Sequence, residues 1–250
     1  MSYVAITGAS AGIGKAIAYK FAAKGDDLII TARRADVLEE MKRDIEAKYG
    51  VNVKPIESDL SVGENAYKLY DELEGLEVKA LINNAGFGNF NNLWEVDIPH
   101  MVKMIELNVK SLSILSMLYT RDYKDKEAQL INVASVGGYL TMPSTATYIA
   151  TKFYVTAYTE TIAMELKVAN SPMKAKLLAP GPVETEFVDV ANQTAKSEID
   201  LSAFPMEFHT ADQMADFTYQ LYESDDVVGI VNMADMTFGT RDVIHPVFTI

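Results

Sequence analysis

Tyr148-Ile149-Ala150-Thr151-Lys152 sets a phenol and an ammonium four residues apart. On a helix that spacing puts both side chains on one face, with Cβ atoms about 5–6 Å apart. At ~5 Å and an effective dielectric of ~20 the ammonium attracts a phenolate by ~3 kcal/mol, about two pKa units. The pair therefore predicts a tyrosine that serves as acid or base nearer neutral pH. Among 13 tyrosines such a pair also arises by chance, so its company matters. Ser135 directly follows a strand-like run, Gln129–Ala134, where its hydroxyl can bind a substrate oxygen or simply cap a turn. Asn108 sits between Leu107 and Val109 in an apolar helical pattern. A buried amide there must be paired or wetted, either to hold a water for proton relay or as a satisfied core residue.

A second constellation lies near the start. Thr7-Gly8-Ala9-Ser10-Ala11-Gly12-Ile13-Gly14 joins the first strand pattern to the first helical one. Gly8 permits a sharp turn, Gly12 removes a side chain where a pyrophosphate approaches backbone N–H groups, and Gly14 lets the helix lie close to the sheet. The helix N-terminus adds about half a positive charge towards the phosphates. At the end of the second strand, where a carboxylate would bond the ribose 2′-OH of NAD, stands Ala32, followed by Arg33 and Arg34. Losing the carboxylate removes repulsion against a 2′-phosphate, and a guanidinium offers it a planar fork. These residues predict NADP(H) in preference to NAD(H).

The Gly-x-x-x-Gly-x-Gly spacing, with Asp59-Leu60, Asn83-Asn84-Ala85-Gly86, Ser135, the Tyr148/Lys152 pair and Pro180-Gly181-Pro182-Val183-Glu184-Thr185 in that order, resembles the short-chain dehydrogenase/reductase family. The resemblance covers essentially the whole chain, by motif from Thr7 to about Thr185. It implies that Tyr148 is the general acid/base and that Ser135 orients and polarises the carbonyl or alcohol. Lys152 would lower the tyrosine pKa and bind the nicotinamide ribose, and Asn108 would support a water relay. By the same resemblance Gly8, Ser10, Gly12, Ile13 and Gly14 cradle the cofactor, and Asp59 with Leu60 borders the adenine. Asn84, Ala85 and Gly86 line the dinucleotide; Pro180, Gly181, Val183 and Thr185 reach its nicotinamide end. Read alone, Asp59 could equally be a helix cap or turn residue. The family resemblance also implies a homodimer or homotetramer, pairing the helices Met101–Tyr119 and Tyr148–Asn170.

Placing these residues falls to alternating elements. Strand patterns at Tyr3–Thr7, Leu28–Ala32, Val51–Ile56, Ala80–Asn83, Gln129–Ala134, Ala175–Ala179 and Val227–Asn232 are mostly continuous apolar runs. Helical patterns at Gly14–Lys24, Asp36–Tyr49, Gly63–Gly75, Met101–Tyr119, Tyr148–Asn170 and Ala211–Glu223 separate them. The rhythm predicts an α/β fold, a single-domain Rossmann-type doubly wound parallel sheet of about seven strands with helices on both faces. One domain would span residues 1–250. Residues 187–209 hold no sustained period and read as a flap over a substrate site, with an ordinary surface excursion as the alternative.

Composition narrows the classes. Two hundred and fifty residues with 49% hydrophobic and 23% charged side chains suit a globular chain. Without cysteine the protein is neither disulfide-stapled, nor cysteine-zinc, nor a thiol enzyme. His100, His209 and His245 are isolated, so no metal is expected. A net charge of −13 argues against nucleic acid. No basic leader precedes the first strand, and the uncharged run Leu130–Thr151 is broken by Gly137-Gly138 and Pro143, so neither secretion nor a membrane is expected and the location reads as cytoplasmic. No Gly-x-Ser-x-Gly elbow suggests a hydrolase. The sequence thus points to an NADP(H)-dependent oxidoreductase interconverting a small ketone or aldehyde and an alcohol. A 3-ketoacyl thioester reductase and a non-catalytic dinucleotide-binding sensor or partner protein are the alternatives. Phe87, Phe90, Tyr139, Met142 and Phe187 are candidate linings for an apolar substrate.

Overall fold

Runs such as Val4-Ala5-Ile6 and Leu28-Ile29-Ile30 are apolar at every position, so a strand built from them needs cover on both faces. The computed structural model, which describes residues 2–187, 191 and 208–247, provides it. Strands β1 (Ser2–Thr7), β2 (Asp27–Ala32), β3 (Val53–Glu57), β4 (Glu77–Asn83), β5 (Gln129–Val133), β6 (Lys174–Ala179), β9 (Val228–Val231) and β10 (Phe238–Arg241) form one eight-stranded sheet. A separate two-stranded parallel ribbon joins β7 (Val183–Glu184) to β8 (His209–Thr210). The main order is β10-β9-β6-β5-β4-β1-β2-β3, parallel except for β10, which runs antiparallel to β9. The eighth strand is the departure from the seven expected. Phe238-Gly239-Thr240-Arg241 is too short and too mixed to read as a strand without its partner.

Alternate residues of each strand enter opposite cores. Val4, Ile6, Leu28, Ile30 and Ile82 pack with α1 (Gly12–Ala23), α2 (Ala35–Tyr49) and α7 (Ala211–Glu223). Ala5, Ile29, Leu81 and Leu130 pack on the other face with α3 (Glu64–Asp71), α5 (Leu112–Tyr123) and α6 (Ala146–Val168). Phe21 of α1 meets Tyr219 and Tyr222 of α7 edge-on, with ring centroids 5.3 and 5.2 Å away. Among the described residues no helix is long and apolar enough to cross a membrane.

Two helices differ from expectation. The Gly63–Gly75 pattern is helical only over Glu64–Asp71. The helix expected at Met101–Tyr119 begins earlier, as α4 (Ile98–Ile105), where the Asp97 side chain accepts from the His100 N–H. It then passes through a π-helical turn, Glu106–Ser111, before continuing as α5. Such turns are frequent at functional sites, and this one contains Asn108.

Chain order reverses between β1 and its neighbour β4: β2 and β3 lie to one side, β5 and β6 to the other. At this switch point the carboxyl ends of the strands open a crevice, the usual ligand position in such sheets. Of the 187–209 segment, Phe187, Ala191, Phe208 and His209 are described; the rest of the expected flap lies outside the described residues.

Candidate active site

The crevice begins where β1 ends. Gly8 has φ +68°, and a Cβ on it would stand 2.8 Å from the Ala85 Cα. A Cβ on Gly14 would stand 2.3 Å from the Gly8 carbonyl oxygen and 2.4 Å from the Asn84 amide nitrogen. Thr7 fastens the two loops: its hydroxyl accepts from the Asn84 and Ala85 N–H groups, both at 3.0 Å. Asn84 Nδ2 donates to the carbonyls of Thr7 and Gly8, at 3.0 and 3.3 Å. Helix α1 opens at Gly12 with no side-chain cap and no acid in its first turn. Its leading N–H groups therefore lack side-chain partners. Uncapped N–H groups behind a cradle that a Cβ would fill fit a pyrophosphate. Ile13 is partly buried against the core, and Thr185 lies over Gly12, 3.2 Å from where a Cβ would be.

On the neighbouring strand, β2 ends at Ala32 and leaves no carboxylate there. Arg33 is exposed. Arg34 folds back on the glycine loop, donating from Nε to the Ser10 hydroxyl at 3.2 Å and from Nη2 to the Ser10 carbonyl at 3.0 Å. Its guanidinium also lies 3.4 Å from a Glu186 carboxylate oxygen. Asp59 Oδ1 accepts from the Ser61 N–H at 3.0 Å and the Ser61 hydroxyl at 2.7 Å, the turn role its sequence context also allowed. Leu60 is buried, and its carbonyl accepts from the Ser111 hydroxyl at 2.6 Å.

The chemical end gathers on α6 and the loop after β5. Ser135 is extended and accepts from the Gly137 N–H at 3.1 Å, while the Val136 N–H donates to the Pro180 carbonyl at 2.9 Å. The next turn lies flat on α6, since a Cβ on Gly138 would stand 2.4 Å from the Thr156 methyl. Tyr148 and Lys152 share one helix face, with the ammonium 5.7 Å from the phenol ring centre. Lys152 Nζ donates to the Val133 carbonyl at 3.1 Å. A Cβ on Gly86 would stand 3.1 Å from Asn108 Oδ1 and 3.7 Å from Lys152 Nζ. Ser135, Tyr148, Lys152, Asn108 and Gly86 thus meet in one place. Of the Pro180–Thr185 run, Gly181 packs towards Val231 and Val183 lies in the β7–β8 ribbon.

Protonation differs from the sequence expectation. Although its ring keeps some exposure, the hydroxyl end of Tyr148 lies deep, and burial pushes the phenol up to about 12. The Ser135 hydroxyl nearby pulls the other way and favours the phenolate. Burial also pushes the Lys152 ammonium down to about 8. Spacing reveals the pair's attraction but not the desolvation that both charges meet, and desolvation wins here.

Asn108 shows its own chemistry. The residue is 1% exposed; Oδ1 accepts from the Phe87 N–H at 3.2 Å, and Nδ2 donates to the Phe87 carbonyl at 2.9 Å and the Thr151 hydroxyl at 3.2 Å. The side chain clamps the strand-following loop onto α6. Asn108→Leu leaves both Phe87 backbone groups without these partners and is expected to destabilise the fold by about 2–4 kcal/mol. A urea midpoint equal to wild type would contradict that role.

The aromatic candidates separate. Phe187 sits on Tyr148, ring centres 5.5 Å apart, and meets Phe90 edge-on at 6.3 Å. Gly88 borders both: a Cβ on it would stand 2.8 Å from Phe187 and 3.1 Å from Tyr148. Phe87 turns instead to His100, ring centres 4.8 Å apart, and Met142 is exposed. Tyr139 faces away from the expected lining. Its hydroxyl donates to Glu160, a fully buried carboxylate on α6. Glu160 also accepts from the backbone N–H groups of Ile244 and His245, at 2.7 and 2.9 Å, and its other oxygen lies 3.0 Å from His245 Nδ1. Neither Glu160 nor Glu186 stands out in the sequence, because an acid on a helix or before an aperiodic stretch reads as a surface charge.

Comparison with known proteins identifies the family. Residues 2–196 match the family model described as short chain dehydrogenase. The chain belongs to that family and is an oxidoreductase. An uncharacterized oxidoreductase of Staphylococcus saprophyticus is 33% identical over 206 residues, covering 79% of this chain and 80% of the relative. A short-chain dehydrogenase from Sphingobium yanoikuyae in complex with NADPH superposes with a TM-score of 0.83 at 25% identity, over 93% of this chain and 88% of that one. A family member from Burkholderia phymatum in complex with NAD gives 0.76 at 27% identity, over 88% and 84%.

Proposed function

We propose that the protein catalyses NADP(H)-dependent interconversion of a ketone or aldehyde with the corresponding alcohol. The observation that carries this reading is the convergence of Ser135, Tyr148 and Lys152 beside Gly86 at the mouth of the switch-point crevice. When bound, the nicotinamide supplies or takes up the hydride. Tyr148 gives its phenolic proton to the carbonyl oxygen during reduction and recovers one from the alcohol during oxidation. Ser135, its orientation set by the Gly137 N–H, donates to the same oxygen. Lys152 holds the ribose and refills the phenol, and Asn108 keeps the π turn and the Phe87 loop in register with a relay water. Phe90 and Phe187 beside Tyr148 support an apolar substrate. The exposed Met117 of α5 and Tyr154 of α6 support pairing of these helices in a homodimer or homotetramer.

The direct test is a carbonyl panel followed by the loss of NADPH absorbance; an enzyme inert to every ketone and aldehyde, with cofactor bound, would remove this reading. The pH profile is a second check. A phenol held near 12 stays protonated, so reduction is expected to be flat from about pH 6 to about pH 8. Oxidation needs the phenolate and should climb over the same interval, by up to about tenfold per unit. A flat oxidation profile would contradict a tyrosine base.

For the cofactor, Ala32 in place of a carboxylate and the Arg33-Arg34 pair support NADP(H). Replacing both arginines by alanine is expected to weaken NADPH by about 10–100-fold and NADH by less than about threefold. Equal losses, read by fluorescence titration, would overturn the assignment.

A further inference from the structure

Three consecutive residues, Thr185, Glu186 and Phe187, cross the whole crevice. Thr185 lies over Gly12 in the phosphate cradle, 3.2 Å from where a Cβ would stand. Glu186 lies 3.4 Å from the guanidinium of Arg34. Phe187 packs on Tyr148 at 5.5 Å, and its N–H donates to the Thr185 hydroxyl at 3.3 Å. Resting on the NADP(H) reading above, we propose that Glu186 is an internal competitor for the anion subsite on Arg34, a residue that sets how strongly a 2′-phosphate is held.

The argument follows from the geometry of a single guanidinium. Two Arg34 nitrogens are committed to Ser10, and Nη2, one of these two, also faces the Glu186 carboxylate. A 2′-phosphate is a tetrahedral anion of higher charge than a carboxylate, two of whose oxygens can accept from the planar guanidinium fork, and it seeks the same edge. Both anions cannot sit there without repulsion, so phosphate binding must displace Glu186. Glu186 is exposed enough to swing into solvent when it yields the guanidinium. A cofactor without the 2′-phosphate does not compete with Glu186 and gains nothing from its removal.

Glu186 and Arg34 are both about half exposed, so their pairing is weak and its removal is well tolerated by the fold. Glu186→Gln keeps size and hydrogen bonding but abolishes the competing charge. Titrations with NADPH, NADH, and the fragments adenosine 2′,5′-bisphosphate and 5′-AMP would be run on the wild type, Glu186→Gln, Arg34→Ala and the double variant. The Gln variant is expected to tighten NADPH and the bisphosphate by about two- to fivefold relative to NADH and 5′-AMP at low salt. That gain should vanish in the Arg34→Ala background and shrink in high salt. An unchanged NADPH-to-NADH ratio, or a gain that persists without Arg34, overturns the proposal. A wild type that prefers NADPH with no Gln effect defeats this inference alone. A wild type indifferent between cofactors, in which Gln creates a preference, upholds it and removes the NADP(H) assignment for the native chain. Indifference in both proteins defeats the two together.

Discussion

Tyr148→Phe is expected to lower carbonyl reduction by about a thousandfold while changing cofactor affinity by less than about twofold. The substitution deletes one oxygen and leaves the ring that packs against Phe187. What disappears is the proton donor beside the Ser135 hydroxyl. Because burial already holds the phenol well above neutrality, the native group stays loaded with a proton throughout the physiological range. Saturating-substrate rates and a fluorescence titration of the cofactor separate the two effects. Near-native turnover would take Tyr148 out of proton transfer, and joint loss of turnover and cofactor binding would make its role one of packing.

Gly14→Ala is expected to be almost as damaging from the opposite end of the crevice. The added methyl would stand 2.3 Å from the Gly8 carbonyl and 2.4 Å from Asn84 Nδ2, and both belong to loops fastened by Thr7. Neither neighbour is the free end of a flexible side chain, so α1 must lift from the sheet. Such overpacking costs about 1–3 kcal/mol, and the displaced helix N-terminus would weaken cofactor binding by at least about tenfold. Gly239→Ala is the matched control: a Cβ there meets nothing within 4 Å, and near-native behaviour is expected. An unchanged dissociation constant for Gly14→Ala would refute the close approach of helix and loop as the basis of the phosphate cradle.

Much of this arrangement is legible without coordinates, for identifiable reasons. Strands covered on both faces must be apolar throughout, and β1, β2 and β4 announce themselves that way. The Gly8–Gly14 spacing carries its own geometry, because each glycine answers a contact a methyl would violate. What is not legible depends on partners distant in the chain. Strand β10 pairs only because β9 presents an edge to it. The π turn around Asn108 follows from tertiary packing that no helical period records. Tyr139 looks like a pocket lining until Glu160 is seen beneath it. The sign of the phenol's shift escapes for the same reason, since burial is a property of the assembled cleft.

The buried carboxylate of Glu160 has a practical consequence for anyone engineering this chain. Its oxygens are satisfied by Tyr139 and by the main chain at Ile244 and His245. Trimming the polypeptide after Asp242 to shorten a fusion, or grafting a tag in place of those two residues, would leave a buried carboxyl group short of hydrogen-bond partners beside the loop that carries Ser135. Tags and fusions are therefore better attached beyond His245, where the existing amide contacts to the carboxylate are left in place.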